Sequence, residues 1–276
     1  MPYQYQTLLV DIRNKIAKIT LNRPEKRNAM NPQLHIDMAD CLEKLRYDDS
    51  AAVLVITGSG KQFCAGMDLK EFFYDLKLKN PAEYDRIWRI ATDWRGRTLR
   101  YYPKPTIAMI NGFCFGGAFA LVEGCDLAVA ADEATFGLSE VNFRHFPGGV
   151  AAKATANLFR PRDAMLYSMT GRTFDGKKAA DMGFVNFSVP LAKLEQETMA
   201  LAAELAGKDP QALRACKHAY RFILEMSWEA SVSWTRATES ELHLAQKDNS
   251  WIERGIGDFI EGKYRPGLEK HEGTGT

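Results

Sequence analysis

Over residues 8–22, apolar and polar positions alternate on either side of Arg13 and Asn14, with Ile12, Ala17, Ile19 and Leu21 on one face; the pattern predicts a β-hairpin. The period then changes. Leu34, Met38, Leu42 and Leu45 recur at helical spacing with Asp37, Asp40, Glu43 and Lys44 between them, so residues 32–47 read as an amphipathic helix whose apolar stripe covers a sheet. Residues 51–57 are a continuous apolar run of strand length closed by Gly58-Ser-Gly60, the mark of a strand buried on both faces. Asp68 is the expected N-cap of a helix over 68–77. A strand over 105–110, a glycine-rich turn over 111–117, a short helix over 118–123 and a strand over 126–130 repeat the cycle, and this alternation predicts an α/β fold.

Beyond Pro190 the strand patterns stop. Helices are predicted over 191–206, 210–226, 228–246 and 251–261, broken at Gly207, Asp209-Pro210 and Asn249, with a polar tail from Arg265 to Thr276. The expected organisation is a core over 1–190 that carries the site and a helical region over 191–276 for oligomerisation and site closure, with Trp228, Trp234 and Trp251 as candidate anchors.

With 276 residues, 46% of them hydrophobic, the chain can bury a substantial core without staples. Its 36 Lys and Arg against 35 Asp and Glu leave a net charge of +1, which gives no field to recruit nucleic acid or an anionic membrane. The opening Met1-Pro-Tyr-Gln-Tyr5 has neither a basic leader nor an apolar run, and the longest apolar stretch, 115–131, carries Glu123 and Asp126, so a soluble protein is expected. Five scattered cysteines without a C-x-x-C suggest reduced thiols in cytoplasm.

Two glycine segments carry candidate chemistry: Phe63-Cys-Ala-Gly-Met-Asp-Leu69 and Asn111-Gly-Phe-Cys-Phe-Gly-Gly117. Glycine turns that feed helices leave backbone N–H groups unpaired, and two of them, from Met67 and Gly117, could grip an oxygen that gains charge. Taken alone, either segment reads first as an ordinary tight turn. Glu140, after the expected strand, is the candidate general acid/base, because a carboxylate in an apolar cleft has its pKa raised toward neutrality. Glu123 is a weaker candidate that reads first as a helix-end charge. Arg23, Lys26 and Arg27 could meet phosphates or form a solvated loop. No G-x-G-x-x-G, complete P-loop or nucleophile elbow is present, the histidines show no metal spacing, and Cys64 reads as packing.

Asn22-Arg-Pro-Glu-Lys-Arg-Asn-Ala29, Ala65-Gly-Met-Asp-Leu-Lys70, Lys104-Pro-Thr-Ile-Ala-Met-Ile-Asn-Gly112, Gly116-Gly117 and Ala134-Thr-Phe-Gly-Leu-Ser-Glu140 together resemble the crotonase, or enoyl-CoA hydratase/isomerase, family in order and spacing. Within it, Gly66-Met-Asp-Leu-Lys-Glu-Phe72 and Phe136-Gly-Leu-Ser-Glu-Val-Asn142 are most similar to the hydroxycinnamoyl-CoA hydratase-lyases, which hydrate the side-chain double bond and split the product into an aromatic aldehyde and acetyl-CoA. The resemblance implies a spiral of ββα units, a C-terminal helical part that builds trimers or hexamers, and no metal or redox cofactor. It places the oxyanion donors at Met67 and Gly117 and the acid/base at Glu140, and it puts Lys26, Ala65, Leu69, Phe72, Gly116, Ser139, Phe143 and Arg236 about the thioester, its coenzyme A or the ring. Against the family pattern, Ala120 stands where hydratases carry a second glutamate and lyases usually a serine. Phe72 and Arg236 stand where the lyases have tyrosines for the phenol, and Arg144 and His145 replace smaller or apolar residues. The resemblance also admits a hydratase or isomerase of aliphatic or non-phenolic acyl-CoA.

Overall fold

The computed structural model describes residues 3–246 and 251–263, the side chain of Arg254 apart, so the predicted break at Asn249 and the polar tail lie outside the described residues. The described residues through Ala202 form one unit, and those from Ala203 onward form a second; the division falls within a helix.

The first unit begins with β1 (Leu8–Arg13) and β2 (Ile16–Leu21), paired antiparallel from Leu8 opposite Leu21 to Arg13 opposite Ile16. Asn14 and Lys15 take left-handed φ of 51° and 61°, which matches the twist of the flanking strands in a two-residue hairpin. After a 3-10 turn at Pro24–Lys26 comes α1 (Pro32–Arg46), where Asn31 caps the helix by accepting from Leu34 N at 3.0 Å and Pro32 fills the first position. Its stripe Leu34, Met38, Leu42 and Leu45 is fully buried, as the spacing predicts. Asp37, read as polar filler, is also buried: it accepts from Thr7 N at 3.0 Å and Thr7 Oγ1 at 2.7 Å, which fixes the chain entering β1.

β3 (Val53–Gly58), β4 (Thr106–Ile110), β6 (Leu127–Ala131) and β9 (Phe187–Val189) extend the hairpin into a six-stranded sheet ordered β1-β2-β3-β4-β6-β9, parallel from β2 onward. β3 and β4 are buried along their whole length, which is why their sequences run apolar without alternation. Between them lie a π-helical turn (Leu69–Leu76), capped by Asp68 and continued by α2 (Lys77–Lys79) where a helix is expected, then α3 (Pro81–Asp93) and a second π-helical turn (Trp94–Thr98), for which the sequence pattern gives no expectation. β5 (Cys114–Phe115), β7 (Thr135–Gly137) and β8 (Thr173–Asp175) make a smaller sheet ordered β5-β7-β8. The buried α4 (Ala118–Gly124) follows β5, and α5 (Val150–Leu158), α6 (Pro161–Thr170), α7 (Gly176–Asp181) and α8 (Leu191–Ala206) complete the layer.

In the second unit α9 (Pro210–Ile223) and α10 (Trp228–Ala245) pack together, followed by a π turn at Trp251–Ile256 and α11 (Gly257–Ile260). Of the three candidate anchors, Trp234 packs on Phe222 with ring centres 4.9 Å apart, whereas Trp228 is exposed.

Candidate active site

The two glycine segments meet because they are stitched to each other, and the first is stitched in turn to Met30. Cys64 N donates to Phe113 O at 2.8 Å and Phe115 N to Cys64 O at 3.0 Å, while Met30 N donates to Gly66 O at 2.7 Å and Asp68 N to Met30 O at 2.9 Å. Gly66 takes φ of 88°, and a Cβ there would stand 2.6 Å from Phe115 O and 3.2 Å from Gly117 N, so the close approach excludes any side chain. Gly117 in turn leaves room for Met67: a Cβ on it would lie 3.0 Å from Met67 Cγ. The ladder skips two donors. Among the described residues, neither the Met67 nor the Gly117 amide has a hydrogen-bond partner, and Gly117 is the N-cap of α4. Two unpaired amides beside a helix N-terminus can hold an oxygen that acquires charge, and removing one such donor costs roughly 3 kcal/mol of barrier in measured cases.

Glu140 faces the same turn. It opens a 3-10 turn (Glu140–Phe143) that follows β7, with Ser139 as its N-cap residue, and the turn is closed by Arg144 at left-handed φ of 58°. A Cβ on Gly116, itself at φ of 51°, would stand 2.8 Å from Glu140 Oε1, so the carboxylate rests on the bare backbone between β5 and α4. Oε2 is buried with no hydrogen-bond partner. Desolvation pushes the Glu140 carboxyl above its ordinary range, partly offset by its own backbone N–H and the field of His145. A half-buried carboxylate with one buried, orphaned oxygen can take up and return protons.

Behind Gly117 lies a third buried group. Arg95, 5% exposed, donates from Nε to Ala91 O at 2.8 Å and from Nη1 to Gly117 O at 3.2 Å. Burial lowers its pKa to about 10, so it stays cationic near neutrality. The adjoining Trp94 donates from Nε1 to His35 Nδ1 at 3.1 Å, which assigns the His35 proton to Nε2. Burial, with the Arg95 charge adding to it, holds His35 far below its ordinary pKa and therefore neutral.

A family model described as enoyl-CoA hydratase/isomerase matches residues 11–267. The chain belongs to this family. It is 45% identical over 270 residues, 98% of each chain, to a hydroxycinnamoyl-CoA hydratase-lyase of Pseudomonas fluorescens. Its fold matches an enoyl-CoA hydratase of Mycobacterium smegmatis at TM-score 0.84, with 28% identity and coverage of 94% of this chain and 98% of the other. An enoyl-CoA hydratase of Bacillus anthracis matches at TM-score 0.83 and 27% identity, covering 93% and 97%. The architecture is thus the crotonase fold expected from the motifs.

Within this crotonase fold Met67, Gly116, Gly117 and Glu140 converge, and Ala65, half-buried, is tied to the Lys26 loop by a bond from its N to Arg27 O at 3.0 Å. Lys26 is exposed beside it, and Leu69 and Phe143 are exposed at the starts and ends of their turns, 55% and 62% respectively. Phe72 is fully buried, its ring 5.4 Å from His35 and 5.3 Å from Tyr84. Ala120 is buried in α4, and Arg236 is exposed on α10 in the second unit.

One reading of charge needs correction and another is sharpened. Arg23 does not point outward with Lys26: it is buried, donates to Asp68 Oδ2 at 2.9 Å and Glu71 Oε1 at 2.6 Å, and clamps the loop after Met67. Glu123 is the helix-end charge expected, at the end of α4, but it is buried there as the partner of Arg100. Cys64 packs as expected, its thiol pushed up to about 12 by burial. Arg95 and His35 were missed as neighbours of the site, because Arg95 looks in sequence like the exposed Arg86, Arg89 and Arg97 around it. Among the described residues no cluster of three or more His, Cys, Asp or Glu is placed to hold a metal, and no helix is long and apolar enough to cross a membrane.

Proposed function

We propose that the chain is a hydroxycinnamoyl-CoA hydratase-lyase that acts on thioesters such as feruloyl-CoA or 4-coumaroyl-CoA. The observation that carries the reading is the meeting of two unpaired amides, Met67 and Gly117, with one orphaned carboxylate, Glu140. Its substrate class follows from the relative that is 45% identical over nearly the whole chain.

A para-hydroxycinnamoyl thioester is conjugated from the phenol to the carbonyl, so water adds at the benzylic carbon while the two amides hold the enolate oxygen. Glu140 takes the proton from the water and delivers it to the α-carbon. It then removes the β-hydroxyl proton, the Cα–Cβ bond breaks to release the aldehyde, and the proton returns to the departing acetyl-CoA enolate. Atoms balance with water alone, so no cofactor is invoked and one carboxylate serves both halves. Lys26, Ala65, Leu69, Ser139 and Phe143 are assigned to the thioester and its coenzyme A. Phe72 lines the ring end, and Arg236, from this or a neighbouring copy, pairs with the phenolate.

The proposed assembly is a homotrimer or a hexamer, supported by exposed apolar side chains such as Phe143, Phe146, Met165 and Met169. A cytoplasmic setting is supported by the free thiols Cys41, Cys64, Cys114 and Cys125.

Buried Phe72 and Ala120 favour a second reading, a hydratase or isomerase of non-phenolic acyl-CoA. Separate incubations with feruloyl-, 4-coumaroyl-, cinnamoyl- and crotonyl-CoA decide between them. Aldehyde plus acetyl-CoA is the expected result; hydrated crotonyl-CoA alone would overturn the lyase.

A further inference from the structure

Buried cations in this chain normally have anions. Arg23 has Asp68 and Glu71, and Arg100 has Glu123. Arg95 is as deeply buried as either, yet among the described residues it meets no carboxylate: its partners are the neutral carbonyls of Ala91 and Gly117 and the face of the Trp94 ring, 5.9 Å from the guanidinium carbon. A guanidinium held this way is costly to bury unless a negative charge is supplied. Nη1 lies so close behind Gly117 that a Cβ on that residue would be 3.0 Å away. The guanidinium is aimed there by the π-helical turn Trp94–Thr98, a local widening of the helix that recurs at functional sites. Its ring neighbour, Trp94, is in turn held by the neutral His35.

We propose that Arg95 is a positioning residue for the enolate step, its charge acting through space from behind Gly117 to stabilise the oxyanion bound at the Gly117 amide. The thioester carbonyl is neutral in the ground state and anionic in the enolate, so the attraction is realised mainly as the reaction proceeds and enters kcat more than KM. The titratable groups coupled to the guanidinium, His35 and Cys64, are both held neutral by burial and supply no competing anion.

This inference rests on the enolate reading above, and its test separates the two. Arg95→Gln keeps a donor for the carbonyls without the charge, and Arg95→Lys keeps the charge. Both are compared with wild type on feruloyl-CoA and on crotonyl-CoA, since either substrate passes through the same oxyanion. Arg95→Gln is expected to lower kcat by about 10- to 100-fold with KM changed less than about threefold, while Arg95→Lys recovers most of the loss. Should the glutamine variant not fold, Arg95→Met carries the same comparison. A neutral variant within about threefold of wild-type kcat, or a lysine variant as slow as the neutral one, overturns the proposal. Wild-type turnover of crotonyl-CoA alone would overturn the lyase reading and leave the Arg95 comparison intact.

Discussion

Two carboxylates, the buried Glu123 and the half-buried Glu140, lie a short way along the chain from each other and do opposite things. Glu123, at the end of α4, is paired with Arg100 and also accepts from Asn157 Nδ2 at 3.4 Å. Glu140 has an oxygen with no partner at all, and the nearest buried cation described beside Gly117, Arg95, is equally without an anion. Both regions bury charge, but only one leaves it unmatched. Closed pairs hold the scaffold, and unmatched groups are what a substrate with a developing charge can complete.

That contrast is most sharply broken by Glu140→Gln. Turnover should fall by roughly 10²- to 10⁴-fold while thioester binding, read by calorimetry, stays largely intact, and unchanged turnover would remove Glu140 from the mechanism. Glu123→Gln should do the reverse: about 3–5 kcal/mol less stability in denaturant titration, with the kcat of the folded fraction retained. A loss of kcat without a loss of stability would place Glu123 in the chemistry.

Gly116→Ala probes the seat of the catalytic carboxylate. Its left-handed φ and the 2.8 Å approach to Glu140 Oε1 predict about 1 kcal/mol of strain and a kcat lower by about tenfold. Wild-type kcat in that variant would mean the carboxylate has another resting place. The smallest expected effect is thermal. Because the folded-state pKa of Glu140 is raised, ionising it opposes folding, and this stability is lost as pH rises through that raised value. Glu140→Gln should therefore melt slightly above wild type at neutral pH, and the difference should close below 4.5; a lower melting point at neutral pH would contradict the unpaired state.

The fold was legible where pattern and burial coincide. The hairpin, α1, the buried strands and α8 follow from period, and Asp68 caps the helical turn expected after it. The glycine turns were visible as well, since Gly66 and Gly116 are demanded by close backbone approach. What period could not show is which charges face inward. Arg23, Asp37, Arg95 and Glu123 sit among exposed charges in sequence, and only tertiary neighbours decide that Arg23 and Glu123 meet opposite charges while Asp37 and Arg95 meet neutral partners. The π turns were hidden for a related reason, because a single widened turn leaves the apolar spacing of a helix nearly unchanged.

The account's central claim, one carboxylate passing protons to an enolate held by the Met67 and Gly117 amides, is tested most directly by single-turnover reaction of feruloyl-CoA in D₂O with mass analysis of the acetyl-CoA. The α-carbon receives one solvent deuteron on hydration and another on cleavage, so acetyl-CoA with two deuterons, alongside the aldehyde, is the predicted result. Acetyl-CoA formed without solvent deuterium at its methyl group, or no aldehyde at all, would contradict it.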